Sequence, residues 1–418
     1  MRRLAAIGVF AAVASNGMDA QLPVSRADAE RAALAAGARV TLARADSAAA
    51  RAALNTARAL PNPSVAASYT ADVPTKHVTL EIPFDAPWTR GPRIGAAKAA
   101  GRAARLRFLS ERVGALLEVD TTYTRALGAQ ARFELSRQTA RDADSLRKMT
   151  VARRDAGDAS DLDVDLATVT AGQQLNVAAG DSLTYLSLLL TVQTLMGMPA
   201  DSVAIVLTDS LTSPSSFGAG PAAAVPDSTA AAGAGATLAL TAIPSVAAAE
   251  ASVQSAELAV TRERRSVWGI PALQLGVDWG DPANDPPNKL LPLVGLSIPL
   301  PILDRNQGPI AEAEAARARA RAELTMAKLE ARQRLIEGTR ERTSLLAQVA
   351  RDQDLVARAQ RVAAKSLTAY REGASALPAV LEARRTAREV LGQYIDDLTA
   401  LLTVDAELRA LTRTALPQ

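Results

Sequence analysis

The chain has 418 residues, 48% of them hydrophobic but only 3% aromatic, so it can bury a large core yet has few rings with which to stack bases. It contains no cysteine and one histidine, which excludes disulfide frameworks, thiolate metal sites and cysteine nucleophiles and leaves a Ser-His-Asp relay one candidate base, His77. The formal net charge is +3, and two of the excess cations are Arg2 and Arg3; without a dense basic block there is no footprint for a nucleic acid.

Arg2 and Arg3 precede an apolar run, Leu4 to Ala14, and then the small and polar Ser15, Asn16 and Gly17. This order predicts a secretory signal peptide over 1–20, cleaved after Ala14 or Ala20, and hence an exported chain. Nowhere else do eighteen apolar residues run together, so the sequence predicts no membrane-spanning helix and leaves any bilayer crossing to β-strands.

The rest reads as a tandem duplication. Leu80-Glu81-Ile82-Pro83 followed by Gly91-Pro92 answers Leu296-Ser297-Ile298-Pro299 followed by Gly308-Pro309, and Arg154-Asp155-Ala156-Gly157 answers Arg371-Glu372-Gly373. Pro83 and Pro299 stand 216 positions apart, as do Gly157 and Gly373. The first copy is read as 21–209 and the second as 244–418. Between them, 210–243 is rich in Ala, Gly, Ser, Thr and Pro and is read as a linker.

Each copy opens with an Ala-rich helical stretch, 27–59 and 244–267. Period-two alternation follows: Val78, Leu80, Ile82 and Phe84 against Thr79, Glu81, Pro83 and Asp85, then Leu273, Leu275, Val277 and Trp279 against Gln274, Gly276, Asp278 and Gly280. Paired with 64–72 and 291–301, these predict two β-hairpins, 64–85 and 272–301, with strands of about ten residues, the length a tilted strand needs to cross a bilayer. Trp88 and Trp268 beyond one strand end and Trp279 near the other are placed as membrane-interface aromatics. The connections 72–77 and 281–290 are read as loops, with His77 a solvated loop residue.

No proline interrupts 93–198 or 310–377, and both stretches are dense in Ala, Leu, Arg, Glu and Gln. They predict helical hairpins over 93–198 (93–156 returning as 160–198) and 310–413 (310–372 returning as 376–413). Leu345, Val349, Val356, Ala359, Ala363, Leu367 and Tyr370 form a coiled-coil seam. Helix 93–156 would be roughly 95 Å long, more than a globular domain shelters. The fold class is mainly α with a membrane β part. Four strands cannot close a barrel, since the smallest bacterial ones have about eight, so the chain has to oligomerise; the twelve strands of a trimer leave room for a channel.

Ile298-Pro299-Leu300-Pro301-Ile302-Leu303-Asp304-Arg305-Asn306-Gln307-Gly308, followed by Ile310-Ala311-Glu312-Ala313-Glu314, resembles the strand-to-helix crossing of the TolC-type outer-membrane efflux proteins. Ile82-Pro83-Phe84-Asp85 with Arg90-Gly91-Pro92-Arg93 is similar to the first-copy counterpart, and Leu195-Met196-Gly197-Met198-Pro199 to the end of the first helical hairpin. The resemblance spans almost the whole mature chain and, at 299–308, is greatest to the branch serving heavy-metal cation efflux. It implies a homotrimer with a twelve-stranded β-barrel in outer-membrane lipid and a periplasmic α-helical barrel. Such a body is a passive export duct, coupled through a periplasmic adaptor (membrane fusion protein) to an inner-membrane pump of the resistance-nodulation-division type, with no catalytic residue, cofactor or metal.

On this reading the strand-to-helix crossings fall at Pro83, Gly91, Pro92, Pro299, Pro301, Gly308 and Pro309. The hairpin tips Gly157, Asp158, Ala159, Ser160, Gly373, Ala374 and Ser375 meet the adaptor. Asp161, Asp163 and Asp165, just inside the first tip, would form an acidic periplasmic gate in a trimer, and the resemblance adds Glu382. The rival readings are a periplasmic coiled-coil adaptor or interaction protein, and the outer-membrane duct of type I protein secretion. An exported hydrolase would need a polar cluster around a base, and the sequence offers none.

Overall fold

A computed structural model of the chain describes residues 22–211, 243–283 and 289–412. The segment read as a signal peptide, 1–20, and nearly all of the linker read over 210–243 lie outside the described residues. The elements run β1 (Leu22–Val24), α1 (Arg26–Ala36), α2 (Ala38–Arg58), β2 (Ser64–Tyr69), β3 (Lys76–Pro83), α3 (Pro87–Asp155), α4 (Asp161–Leu195), β4 (Ile205–Leu207), α5 (Pro244–Arg265), a 3-10 turn (Ser266–Trp268), β5 (Ala272–Trp279), β6 (Leu291–Ser297), α6 (Gln307–Arg371) and α7 (Leu377–Thr412). The chain forms two compact units, and each draws on both sequence copies. We call them the sheet unit, which includes 34–118 and 214–347, and the hairpin unit, which includes 119–213 and 348–400.

The long helices follow from composition and from where proline sits. Pro87, with its φ already fixed, opens α3, which runs unbroken for 69 residues. The sequence expectation started this helix at 93, after the Gly91-Pro92 pair, but both residues lie inside it. Pro92 removes a single hydrogen bond, to the carbonyl of Trp88, and the Ala-rich stretch on either side carries the helix through. α6 starts at Gln307, so Gly308 and Pro309 occupy its first turn, where amides have no intrahelical partner in any case. The helix expected over 27–59 is interrupted at Gly37, whose extended ψ of 134° begins α2 afresh.

The strands are six to eight residues long rather than about ten. Proline sets their ends: Pro61 and Pro63 precede β2, and Pro299 and Pro301 follow β6, where a residue without an amide hydrogen cannot extend a ladder. β2, β3, β5 and β6 form one antiparallel sheet in that order, so the two hairpins join through β3 and β5, with Leu80 opposite Leu275.

The core of the hairpin unit gathers Val24, Val119, Tyr123, Leu189, Val192 and Ile205, each nearly or fully buried and each such aliphatic side chain contributing about 1.5–3 kcal/mol. β1 and β4, two three-residue strands the sequence pattern does not reveal, pair in parallel beside it. The Tyr123 hydroxyl donates to the Val24 carbonyl and to Asp209, both at 2.9 Å; burial, then the Asp209 carboxylate, push its pKa up.

The seam expected on α6 is present. Leu345, Val349, Val356, Ala359, Ala363, Leu367 and Tyr370 are buried or half-buried, while intervening positions such as Leu346, Leu355 and Val362 are exposed. The same face carries Asp352, which the apolar pattern skipped. By length and composition alone α4 is long and apolar enough to cross a membrane, and most of that stretch is exposed. Its leucines and valines are interspersed with Ser, Thr, Gly and Gln, so no unbroken run announces it.

Candidate functional site

In the sheet unit the strand registers sort side chains with little exception. On one face lie Val65, Ala67 and Tyr69 of β2, Val78, Leu80 and Ile82 of β3, Leu273, Leu275, Val277 and Trp279 of β5, and Pro292, Val294 and Leu296 of β6; Lys76, at the end of β3, is the one charge among them. This apolar face is uncovered: Val65 is 69% exposed, Tyr69 74% and Val294 74%. The other face carries Ser64, Ser68, His77, Thr79, Glu81, Gln274, Asp278 and Ser297, with Leu291 and Leu293 of β6 as its apolar exceptions. Among the described residues β2 and β6 pair on one side only, leaving two edges with unused backbone donors and acceptors.

His77 belongs to β3 and is not a solvated loop residue. Its Nδ1 lies 2.9 Å from Asp278 Oδ1, directly across the ladder, and its Nε2 lies 3.0 Å from Thr70 Oγ1. The signal was in the sequence: His77 extends the Thr79, Glu81 alternation by one step.

Both strand-to-helix crossings are fastened by polar side chains. At the first, after Pro83 ends β3, the side chain of Asp85 is 2% exposed and accepts from Arg93 Nη2 at 2.7 Å, while Arg93 Nε donates to the Ala57 carbonyl at 3.0 Å. At the second, Asn306 sits at φ 60°, a backbone conformation Asn tolerates. Its Nδ2 donates to the Glu263 carbonyl at 2.8 Å and to Ser266 Oγ at 2.9 Å, and Asp304 Oδ1 accepts from the Asn306 amide. Asp304, Asn306 and Gln307 of the Asp-Arg-Asn-Gln motif are thus turn-formers. Trp88 lies in the first turn of α3 and is 47% exposed, Trp279 ends β5, and the side chain of Trp268 lies outside the described residues.

In the hairpin unit both tips close in the same way. Gly157, at φ +85°, donates to the Arg154 carbonyl and Asp158 to that of Arg153, a Schellman arrangement; Gly373, at φ +77°, and Ala374 repeat it onto Tyr370 and Ala369. Ser160 then caps α4: its Oγ accepts from the Asp163 amide at 3.1 Å, and Asp163 Oδ2 accepts from the Ser160 amide at 3.1 Å. Asp163 is therefore engaged at the helix start, whereas Asp161, Asp165 and Glu382 are exposed, Asp161 standing 3.8 Å from Arg154. The second tip lacks such a box; Ala376 precedes Leu377, and Pro378 occupies the first turn of α7.

The two tips are joined by residues the sequence reading did not single out as a pair. Tyr370 is buried with Leu146, Leu377 and Val380. Thr150 Oγ1 donates to the Leu146 carbonyl and lies 3.2 Å from the Tyr370 hydroxyl, and Arg153 Nη1 donates to the Tyr370 carbonyl at 2.6 Å. Farther along this unit Arg384 donates to the Asp142 carbonyl, and burial lowers its pKa. A cavity of about 190 Å³ is lined by Arg132, Asp181, Arg388 and Glu389, charges of both signs. Among the described residues no cluster of three or more His, Cys, Asp or Glu could hold a metal ion.

Solved structures share this architecture. The outer membrane protein VceC of Vibrio cholerae matches with a TM-score of 0.73 at 16% identity, over 93% of this chain and 96% of its own. CusC, described in connection with transmembrane channel formation, matches at 0.72 and 16%, over 96% and 95%. The chain has the fold of the TolC-type outer-membrane channels. The open state of the Neisseria gonorrhoeae MtrE outer membrane channel shares the fold as well, at 0.71 and 15% identity over 93% of this chain and 88% of its own. No family model and no curated protein matches the sequence.

Proposed function

We propose that the chain is the outer-membrane channel of a tripartite efflux system, a trimeric passive export duct whose helical body lies in the periplasm. The observation that carries this reading is the four-stranded sheet, apolar and uncovered on one face, polar on the other, and unpaired at β2 and β6. In water about a dozen exposed apolar side chains on one surface are unfavourable; facing lipid they are at home, and pairing β2 of one copy with β6 of the next removes both edges. Three copies give twelve strands with the polar face lining the lumen. The exposed Leu162, Val169, Leu175 and Leu183 of α4 would pack between copies in the helical body.

The tips Gly157–Ser160 and Gly373–Ser375 are the surfaces we assign to a periplasmic adaptor, and through it to an inner-membrane pump of the resistance-nodulation-division type. Asp161, Asp165 and Glu382 form the acidic ring of the gate, with Asp163 holding the helix start. Pro83, Pro299 and Pro301 mark the crossings out of the sheet, and Trp88 and Trp279 mark the lipid interface. Resemblance at 299–308 favours heavy-metal cations as cargo. The chain's lack of cysteine makes the test clean. Cysteines at Val65 on β2 and Val294 on β6 are expected to crosslink copies into trimers in outer-membrane fractions extracted only by detergent. Release of uncrosslinked protein by osmotic shock would favour the periplasmic adaptor instead.

A further inference from the structure

We propose that Lys76, set between Tyr69 and Trp279 on the apolar face of the sheet, binds the phosphate of a membrane-lipid headgroup in the leaflet farther from the helices. This rests on the duct reading, which turns that face toward lipid. Tyr69 pairs with Lys76, and Lys76 with Trp279, so the three stand side by side in one row across β2, β3 and β5. Side chains directly opposite each other in an antiparallel ladder have Cβ atoms about 4.5–5.5 Å apart. The row therefore places an ammonium, a phenol O–H and an indole N–H together, three kinds of donor and one positive charge, which is what a phosphate accepts from. Lys76 and Tyr69 are exposed and Trp279 is half-buried, so the row is open to a ligand from outside the chain.

Position and charge both favour a lipid phosphate. β3 leads into α3 from its far end, so Lys76, its first residue, lies at the end of the sheet away from the helices. A lysine on the lipid face is costly at the bilayer midplane and nearly free at the interface, where its stem covers apolar surface while the ammonium reaches the headgroups and flanking aromatics sit at the same depth. Among the described residues no Asp or Glu of the four strands shares this face, so the protein supplies Lys76 no counter-charge there. Nor does Lys76 guard a sheet edge, because β3 is paired on both sides. The row is also held in place from within the chain. The Thr70 amide donates to the Thr75 carbonyl at 2.8 Å, and Thr75 Oγ1 donates to the Gly280 carbonyl at 3.4 Å, which ties together the residues that adjoin Tyr69, Lys76 and Trp279. Gly280, at φ +93°, lets β5 end against this turn, since a Cβ there would collide with Thr75 Oγ1. Donors fixed in advance lose little freedom when a ligand arrives.

Native mass spectrometry of the full chain in detergent, with lipid A as the probe, provides the test. Wild type and Lys76→Arg are expected to retain the lipid alike, and Lys76→Gln about fivefold less, the effect of one cation close to an anionic lipid surface. Wild type should lose as much when the probe is lipid A stripped of both phosphates, a comparison that needs no variant to fold. Equal retention by wild type and Lys76→Gln, or undiminished retention of the stripped lipid, overturns the proposal. Displacement of lipid A by an equal concentration of inorganic phosphate also overturns it, since the site would then take any small anion. Crosslinking through Val65→Cys and Val294→Cys in the same preparations keeps the two readings apart. Trimers that hold both lipids equally would sink the lipid site and leave the duct standing, whereas the absence of trimers would sink the duct and this site with it.

Discussion

Arg153 and Tyr370 join the two hairpin tips in two ways at once: the guanidinium carbon lies 4.7 Å from the centre of the phenol ring, and Nη1 donates to the tyrosine's own carbonyl at 2.6 Å. That carbonyl belongs to the last turn of α6 and also accepts from the Gly373 amide at 3.1 Å; the helix dipole there favours a cation. Thr150 uses its hydrogen on Leu146, so the Tyr370 hydroxyl is the donor in the bond between them.

Arg153→Ala is therefore expected to lower stability by about 1–2 kcal/mol, Arg153→Lys by less and Tyr370→Phe by about 1 kcal/mol. In single-channel recording the alanine variant should conduct more than wild type, with lysine intermediate. Equal conductance in all three would separate this contact from gating.

The acidic residues near the first tip divide by role. Asp163→Ala and Ser160→Ala each break the capping box and should cost about 1 kcal/mol in thermal unfolding. Asp165→Asn should leave the melting curve in place while lowering cation selectivity in a planar bilayer. Unchanged selectivity for Asp165→Asn would remove that residue from the gate.

At the first crossing, Arg93→Ala takes the 2.7 Å partner from the nearly buried Asp85 carboxylate and leaves it Arg90 Nε at 3.6 Å, which should cost less than the about 3 kcal/mol of a fully stranded charge. Replacing both residues by alanine should cost clearly less than the sum of the single changes, as a double-mutant cycle in urea would measure.

Asp352 lies on the seam of α6, and burial first, then the neighbouring Asp397 carboxyl, raise its pKa. The folded chain thus keeps a proton that the unfolded chain has lost. Nothing is lost below the ordinary aspartate range, and stability falls as pH rises through the raised value. Asp352→Asn, which carries no charge at any pH, should stabilise the protein at neutral pH by about 1 kcal/mol or less, since solvent reaches part of the pair, and the gain should vanish near pH 3.5. Melting curves at the two pH values check both statements.

Much of this architecture was readable because the chain repeats strong patterns. Leu80 with Ile82 and Leu273 with Leu275 alternate cleanly where a sheet has two different surroundings, and Leu345 to Tyr370 advances as a helix seam does. Gly157 and Gly373 mark turns that require positive φ. What escaped was carried by single residues. β1 and β4 are too short for periodicity and depend on contacts such as Tyr123 with Val24. Asp352 looked like a gap in an apolar seam, Pro92 like a helix boundary, and His77 like loop because its partners, Thr70 and Asp278, are 7 and 201 positions away. The hairpin turns at Gly157 and Gly373 were legible as positions; the capping role of Asp163 needed the geometry of Ser160.

The central claim is that the edges β2 and β6 find each other between copies. Single-particle electron microscopy of the detergent-extracted protein tests it most directly. Threefold particles are expected in which twelve strands close a barrel, with β2 of each chain against β6 of its neighbour. Monomeric or dimeric particles with the four-stranded sheet left open would contradict it.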